Sequence, residues 1–242
     1  MRIIEVRDRE EAGNIAAKMI IDLIKKKPDA TLGLATGSSP ETTYSHLVKA
    51  YEAGEISFSK VRTVNLDEYV GVDETHPQSY RFFMEEKLFS KVNICKESTH
   101  LPSGLAENLR TECERYDRVI SDLSPIDLQL LGIGHNGHIG FNEPGEFFTE
   151  NTHIVELSSS TIEANSRFFS AKSDVPKRAI TMGIGQIMSA KRIVLLAFGK
   201  EKSDILRAAL IGDVTPNCPA AVLQHHPNLT VIADTYALEK MQ

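Results

Sequence analysis

Between Glu10 and Lys27 the apolar residues Ile15, Ala16, Met19, Ile20, Leu23 and Ile24 recur at intervals of three and four. That spacing lines one face of a helix. The next segment, "ATLGLAT", is short and nearly all apolar, which predicts a buried strand. A helix follows over "SPETTYSHLVKAYEAG", opened by Ser39 and Pro40 and closed near Gly54. The alternation continues: strands at "VRTVNL", "IDLQLLGI", "RAITMGI", "RIVLLAFG" and "LTVIADT", and helices at "SYRFFMEEKLFSKV", "AENLRTECERYDRVISDL" and "KSDILRAALIG". A first strand begins at about Arg2, and a short helix ends the chain. Apolar strands alternating with helices predict a three-layer α/β fold. Its sheet is open, mostly parallel and Rossmann-like, with helices on both faces. With no repeat, low-complexity tract or linker, residues 1–242 read as one domain.

Composition narrows the class. Hydrophobic residues make up 41% and charged residues 25% of 242, so the chain can bury a core without disulfides or metal. Cys95, Cys113 and Cys218 are odd in number and far apart, which reads as reduced thiols in packing positions. The net charge is −6 and the basic residues are dispersed, which argues against nucleic acid as a partner. No run approaches the roughly 18 apolar residues of a membrane span. The N-terminus carries charges every few residues, unlike a signal peptide, so the expected location is the cytoplasm.

The unusual polar clusters fall where strands end. "TLGLAT" runs into "GSSP", "VRTVN" into "LDEYVG", "LQLLGIG" into "HNGHIGFNEP" and "VLLAFG" into "KEK". In open α/β sheets the ligand crevice lies beyond the C-terminal strand ends, so four such exits point to one site.

Each cluster suits a chemical task. Gly37, Ser38 and Ser39 precede a helix, whose free N–H groups and positive dipole end favour an anion. An ordinary helix cap would account for the same residues. No lysine follows at Walker spacing and no GxGxxG follows a strand, so a small phosphate ester fits better than a nucleotide. Asp67 and Glu68 are adjacent on extended chain and point opposite ways, so one of them can face the crevice as a general base. In "GIGHNGHIGFNEPG" the glycines allow close approach, and His138 followed by Glu143 reads as a proton-transfer pair. His135 and His138 with Glu143 also raise a metal site. The HxxH spacing is loose, however, and the segment is not one helix.

Together "LGLATGSSPETTY", "NLDEYVG", "GIGHNGHIGFNEPG" and "NSRFF" closely resemble the glucosamine-6-phosphate deaminase (isomerase) family, from near Met1 to about Asp234. The resemblance implies conversion of glucosamine 6-phosphate and water to fructose 6-phosphate and ammonia, without metal or organic cofactor. Asp67 then matches the base that moves a proton between C2 and C1. His138 matches the ring-opening residue and Glu143 its carboxylate partner. Gly37, Ser38, Ser39, Arg167 and Lys202 match the phosphate-binding groups, and Gly137 belongs to the substrate loop.

Two departures matter. Asn136 stands where many members of the family carry an aspartate of the ring-opening group, so active enzyme with a shifted pH profile is expected. His153 and Val155 stand where the larger hexameric members need basic residues for N-acetylglucosamine 6-phosphate, and the chain is shorter at Gln242. A monomer or small homo-oligomer is expected, without that activation.

The rival readings are a 6-phosphogluconolactonase, disfavoured by "FNEP" and "NLDEYVG", and a sugar-phosphate sensor. A sensor of this kind normally carries a helix-turn-helix segment ahead of the domain, whereas the first strand here is expected from about Arg2. His225 and His226 read as turn and packing residues. His76 and the polar segment 145–175 are candidates for a lid.

Overall fold

In the computed structural model, residues 1–167, 169 and 171–241 are described. Phe168 of the "NSRFF" motif lies outside them.

Strand β1 (Arg2–Val6) leads to Asp8, whose side chain accepts from the Glu11 N–H and starts helix α1 (Arg9–Lys26). There follow β2 (Thr31–Leu34), α2 (Glu41–Glu52), β3 (Arg62–Asn65), β4 (Asp67–Tyr69) and α3 (Tyr80–Lys87). After β5 (Thr99–His100), α4 (Leu109–Leu123) and β6 (Leu128–Gly132) come β7 (His153–Glu156) and α5 (Ser159–Ser166). The chain finishes with β8 (Arg178–Thr181), α6 (Ile184–Met188), β9 (Ile193–Ala197), α7 (Ser203–Ile211) and β10 (Leu229–Asp234).

The main sheet has seven parallel strands in the order β1-β10-β9-β6-β2-β3-β5. Its strands are apolar throughout because both faces are covered. Along β9, Val194 and Leu196 join the layer that includes Ile20 of α1 and Leu47 of α2. Ile193, Leu195 and Ala197 point the other way, into the layer of Tyr116 from α4 and Leu206 from α7. The two-residue period of the strand thus feeds two separate cores. Burying a Leu or Ile there contributes roughly 2 kcal/mol.

The sequence expectation holds for the parallel sheet and its two helical layers, with corrections at the edges. "RAITMGI" does not join the main sheet. Its β8 is the centre of a second, antiparallel sheet in the order β4-β8-β7. The reason is local: the β4 triplet Asp67–Tyr69 and β7 within segment 145–175 both need a partner outside the parallel stack. The helix expected over 79–92 ends at Lys87, and a 3-10 turn follows at Phe89–Lys91. Cys113 and Cys218 pack in the interior as expected, whereas Cys95 is exposed. His226 is buried and bonds the Ala190 carbonyl through Nε2, a packing role, while His225 is exposed.

From β2 the chain proceeds to its neighbour β3 on one side, and from β6 towards β9 on the other. Adjacent strands β2 and β6 therefore bound the switch point of the sheet, where a crevice opens beyond their C-terminal ends.

Candidate active site at the switch point

The crevice is a cavity of about 210 Å³, a size for a small ligand rather than a dinucleotide. Gly37, Ser38 and Ser39 line it after β2, Asp67 after β3, Gly134, His135 and His138 after β6, and Lys202 after β9. All four polar strand exits meet there. Arg167, at the C-terminal cap of α5, reaches the same cavity.

The loop after β2 turns at Gly37, whose φ of 88° is in the left-handed region. Opposite, Gly132 of β6 leaves room for the Ser39 hydroxyl, which would lie 3.5 Å from a Cβ at that position. Lys202 ends a 3-10 turn at Lys200–Lys202. Burial lowers its pKa to about 8, with Glu201 opposing and the positive charges of Arg167 and Arg9 adding to the fall.

Asp67 sits where the chain leaves the parallel sheet and enters the antiparallel one. Leu66 N–H still donates to Leu34 of β2, and Leu66 C=O already accepts from Met182 just after β8. Asp67 faces the cavity and is 5% exposed. Burial pushes its pKa well up, the charge of Glu68 adds to the rise, and the Phe141 amide pulls the other way. Glu68 faces away, as adjacency on extended chain requires. It accepts from the N–H groups of Tyr69, Tyr80 and Arg81, anchoring the start of α3.

His138 and Glu143 are brought together by the glycine loop. Nδ1 of His138 lies 3.7 Å from Oε2 of Glu143, an ion-pair distance rather than a hydrogen bond. The same oxygen accepts from Nδ2 of Asn136 at 2.6 Å, and Oδ1 of Asn136 accepts from the His138 backbone N–H. Oε1 of Glu143 accepts from the Thr161 hydroxyl and, at 3.4 Å, from the Ser158 N–H. Burial alone would raise the Glu143 pKa. The His138 ring, Thr161 and Asn136 overcome it and hold the carboxyl at about 2. A Cβ on Gly134 would sit 2.3 Å from the His138 ring, so that glycine is the seat of the imidazole.

Gly137 does not line the cavity. Its φ of 86° turns the loop, and a Cβ would meet Cys218 Sγ at 2.8 Å, so its task is to fold the loop that carries Asn136 and His138. His135 is exposed and lines the cavity apart from the Glu143 network. Among the described residues no three His, Cys, Asp or Glu side chains converge as metal ligands.

Some site residues carried no sequence signal. Arg9 lines the cavity from a region remote in sequence, beside Phe198 of the "VLLAFG" exit. Tyr80 lines it too, stacked on Phe141 with ring centroids 5.8 Å apart. Thr161 is an ordinary first-turn residue bonded to the cap Ser158, and only the folded loop shows that its hydroxyl serves Glu143.

Fold and cleft together define a doubly wound α/β protein with one polar ligand crevice at its switch point. The chain belongs to the glucosamine-6-phosphate isomerase/6-phosphogluconolactonase family, whose sequence model matches residues 9–232. A glucosamine-6-phosphate deaminase of Lachnoclostridium phytofermentans is 53% identical over 232 residues, covering 96% of this chain and 98% of that protein. One from Clostridium perfringens is 49% identical over 242 residues, the full length of both chains. Among solved structures, a monomeric glucosamine-6-phosphate deaminase superimposes with a TM-score of 0.97. It is 44% identical and covers 99% of this chain and 100% of its own. A 6-phosphogluconolactonase from Trypanosoma brucei shares the fold, with a TM-score of 0.80 at 20% identity, covering 100% and 98% of the two chains. Among the described residues no helix is long and apolar enough to cross a membrane.

Proposed function

We propose that this chain, as one domain of residues 1–242, converts glucosamine 6-phosphate and water to fructose 6-phosphate and ammonia. The observation that carries the reading is the placement of Asp67, His138, Arg167 and Lys202 on the lining of one cavity. A base, a proton-transfer group and cationic anchors thus line one cavity of a size for a small ligand.

Each step follows from that placement. The phosphate dianion seats against Lys202, Arg167 and the Gly37–Ser39 loop. His138, oriented from the Glu143 side, moves a proton between the ring oxygen and the anomeric hydroxyl, and the pyranose opens to the aldehyde. Asp67 removes the C2 proton while the C1 carbonyl oxygen takes a proton from the substrate's own ammonium group, giving an enolamine at C1–C2. Asp67 then returns the proton to C1 as the nitrogen lone pair closes the C=N bond. Its buried, strongly basic carboxylate suits this transfer between adjacent carbons. The product is the C2 imine. Water adds to it and ammonia leaves, giving the ketose. Overall the reaction is an isomerisation coupled to hydrolysis of a C–N bond, and none of these steps uses a metal or organic cofactor.

The high identity to deaminases and the likeness to a monomeric one support a cytoplasmic enzyme of amino-sugar metabolism. We expect it to act as a monomer or small homo-oligomer, without hexamer-type activation. The test is ammonia release from glucosamine 6-phosphate by purified, metal-chelated protein beside Asp67→Asn. Release by the wild type and collapse in the variant support the reaction and its base. Absence of release from the wild type overturns the proposal and directs the assay to 6-phosphogluconolactone.

A further inference from the structure

We propose that Arg9 is a third cationic anchor for the substrate phosphate, held in place by Phe198 and Ser38. The inference rests on the phosphate subsite proposed above and adds a residue that neither the strand exits nor the glycine loops contain.

Arg9 is the first residue of α1, far from the other site residues in sequence, yet it lines the cavity with Ser38, Arg167, Phe198 and Lys202. Three contacts fix it there. Its backbone carbonyl accepts from the Thr42 hydroxyl of α2 at 2.9 Å. Nη1 donates to the Ser38 carbonyl at 3.2 Å, tying the side chain to the anion loop. The guanidinium carbon lies 5.0 Å from the Phe198 ring centroid, so the planar group rests on the residue that follows β9. The α1–α2 junction is tight, since a Cβ on Gly13 would meet the Thr42 hydroxyl at 2.5 Å.

A guanidinium carries five N–H donors in a rigid fork, and the Ser38 carbonyl takes one. Among the described residues no carboxylate forms a salt bridge with Arg9. Glu201 also lines the cavity, and its charge acts on Lys202 together with those of Arg167 and Arg9. Arg9 and Lys202 against Glu201 leave a local positive excess on a chain whose net charge is −6. A phosphate dianion is the ligand that such an excess fits. Phe198 holds the fork in a fixed plane, so little side-chain entropy is lost when the remaining donors engage phosphate oxygens.

The test compares Arg9→Ala, Arg9→Gln, Arg9→Lys and Lys202→Ala for turnover of glucosamine 6-phosphate and competitive inhibition by inorganic phosphate. For Arg9→Ala and Arg9→Gln, the KM and the phosphate inhibition constant are expected to rise together by about tenfold. The kcat is expected to stay within about twofold, the signature of lost uniform binding. Arg9→Lys should recover part of the loss, and added salt should narrow the gap between wild type and Arg9→Gln. If phosphate inhibition weakens in Lys202→Ala and is unchanged in Arg9→Ala and Arg9→Gln, the subsite stands and the role of Arg9 is refuted. If kcat falls in the Arg9 variants with phosphate inhibition unchanged, Arg9 only positions the Ser38 loop and the proposal is likewise overturned. If inhibition is unchanged in Lys202→Ala as well, the subsite itself is misplaced and the proposal falls with it.

Discussion

Nδ2 of Asn136 donates to Oε2 of Glu143 at 2.6 Å, and that same oxygen lies 3.7 Å from Nδ1 of His138. The asparagine thus holds the carboxylate by the oxygen that faces the imidazole. An aspartate there could not donate and would set two like charges side by side.

Asn136→Asp tests that arrangement. The new carboxylate adds negative charge beside the pair, so the pH profile of kcat should differ from that of the wild type. Rate–pH titration of both proteins measures it. Superimposable profiles would show that Asn136 does not tune ring opening.

Glu143→Gln should lower kcat by at least about 100-fold, because the imidazole loses the carboxylate partner beside Nδ1. It should also change stability in acid. A carboxylate depressed to about 2 contributes stability that is present above the unfolded value near 4.5 and is lost as pH falls through about 2. The variant lacks that loss. Melting curves from pH 5 to 2 should be flatter for Glu143→Gln than for wild type, and parallel curves would contradict the low pKa.

Asp67→Asn should cost at least about 1000-fold in kcat without costing stability. A buried carboxyl with a raised pKa contributes stability that is fully present below the unfolded value near 3.8 and is lost as pH rises towards the folded value. Removing the charge should therefore raise the melting temperature at pH 7, with the gain vanishing below about pH 4. A variant less stable than wild type at pH 7 would refute the assignment of burial as the cause.

Lys202 titrates near 8, so KM should rise as pH passes that value while kcat stays level. Steady-state kinetics from pH 7 to 9.5, with Lys202→Arg alongside, measures it. The arginine keeps its charge and should abolish the rise. An equal rise in the variant would place the titration elsewhere.

Gly134→Ala puts a methyl where the His138 ring lies, 2.3 Å away in the present geometry. The ring must move, and kcat should fall by about 100-fold with a small change in melting temperature. Wild-type kcat in this variant would mean that the ring has a second productive position.

The amphipathic and apolar periods of residues 10–27, 30–36, 126–133 and 192–199 made the parallel sheet and its helical layers legible, because long apolar strands are stable only when both faces are covered. The strand-exit rule likewise put the polar clusters "GSSP", "LDEYVG", "HNGHIGFNEP" and "KEK" at one crevice, and the family resemblance singled out Asp67, His138 and Lys202 within them. The period-two argument also separated Asp67 from Glu68, since it depends on backbone geometry alone. By contrast, β4 and β7 are too short and too polar to announce themselves, and they exist as strands only because β8 lies between them. Arg9 and Thr161 entered the site by tertiary packing across long stretches of sequence, which no local pattern encodes. The hydrogen bond that Asn136 gives to Glu143 belongs to the same class. The sequence shows the departure from aspartate, but which carboxylate oxygen it holds depends on how the loop turns at Gly137.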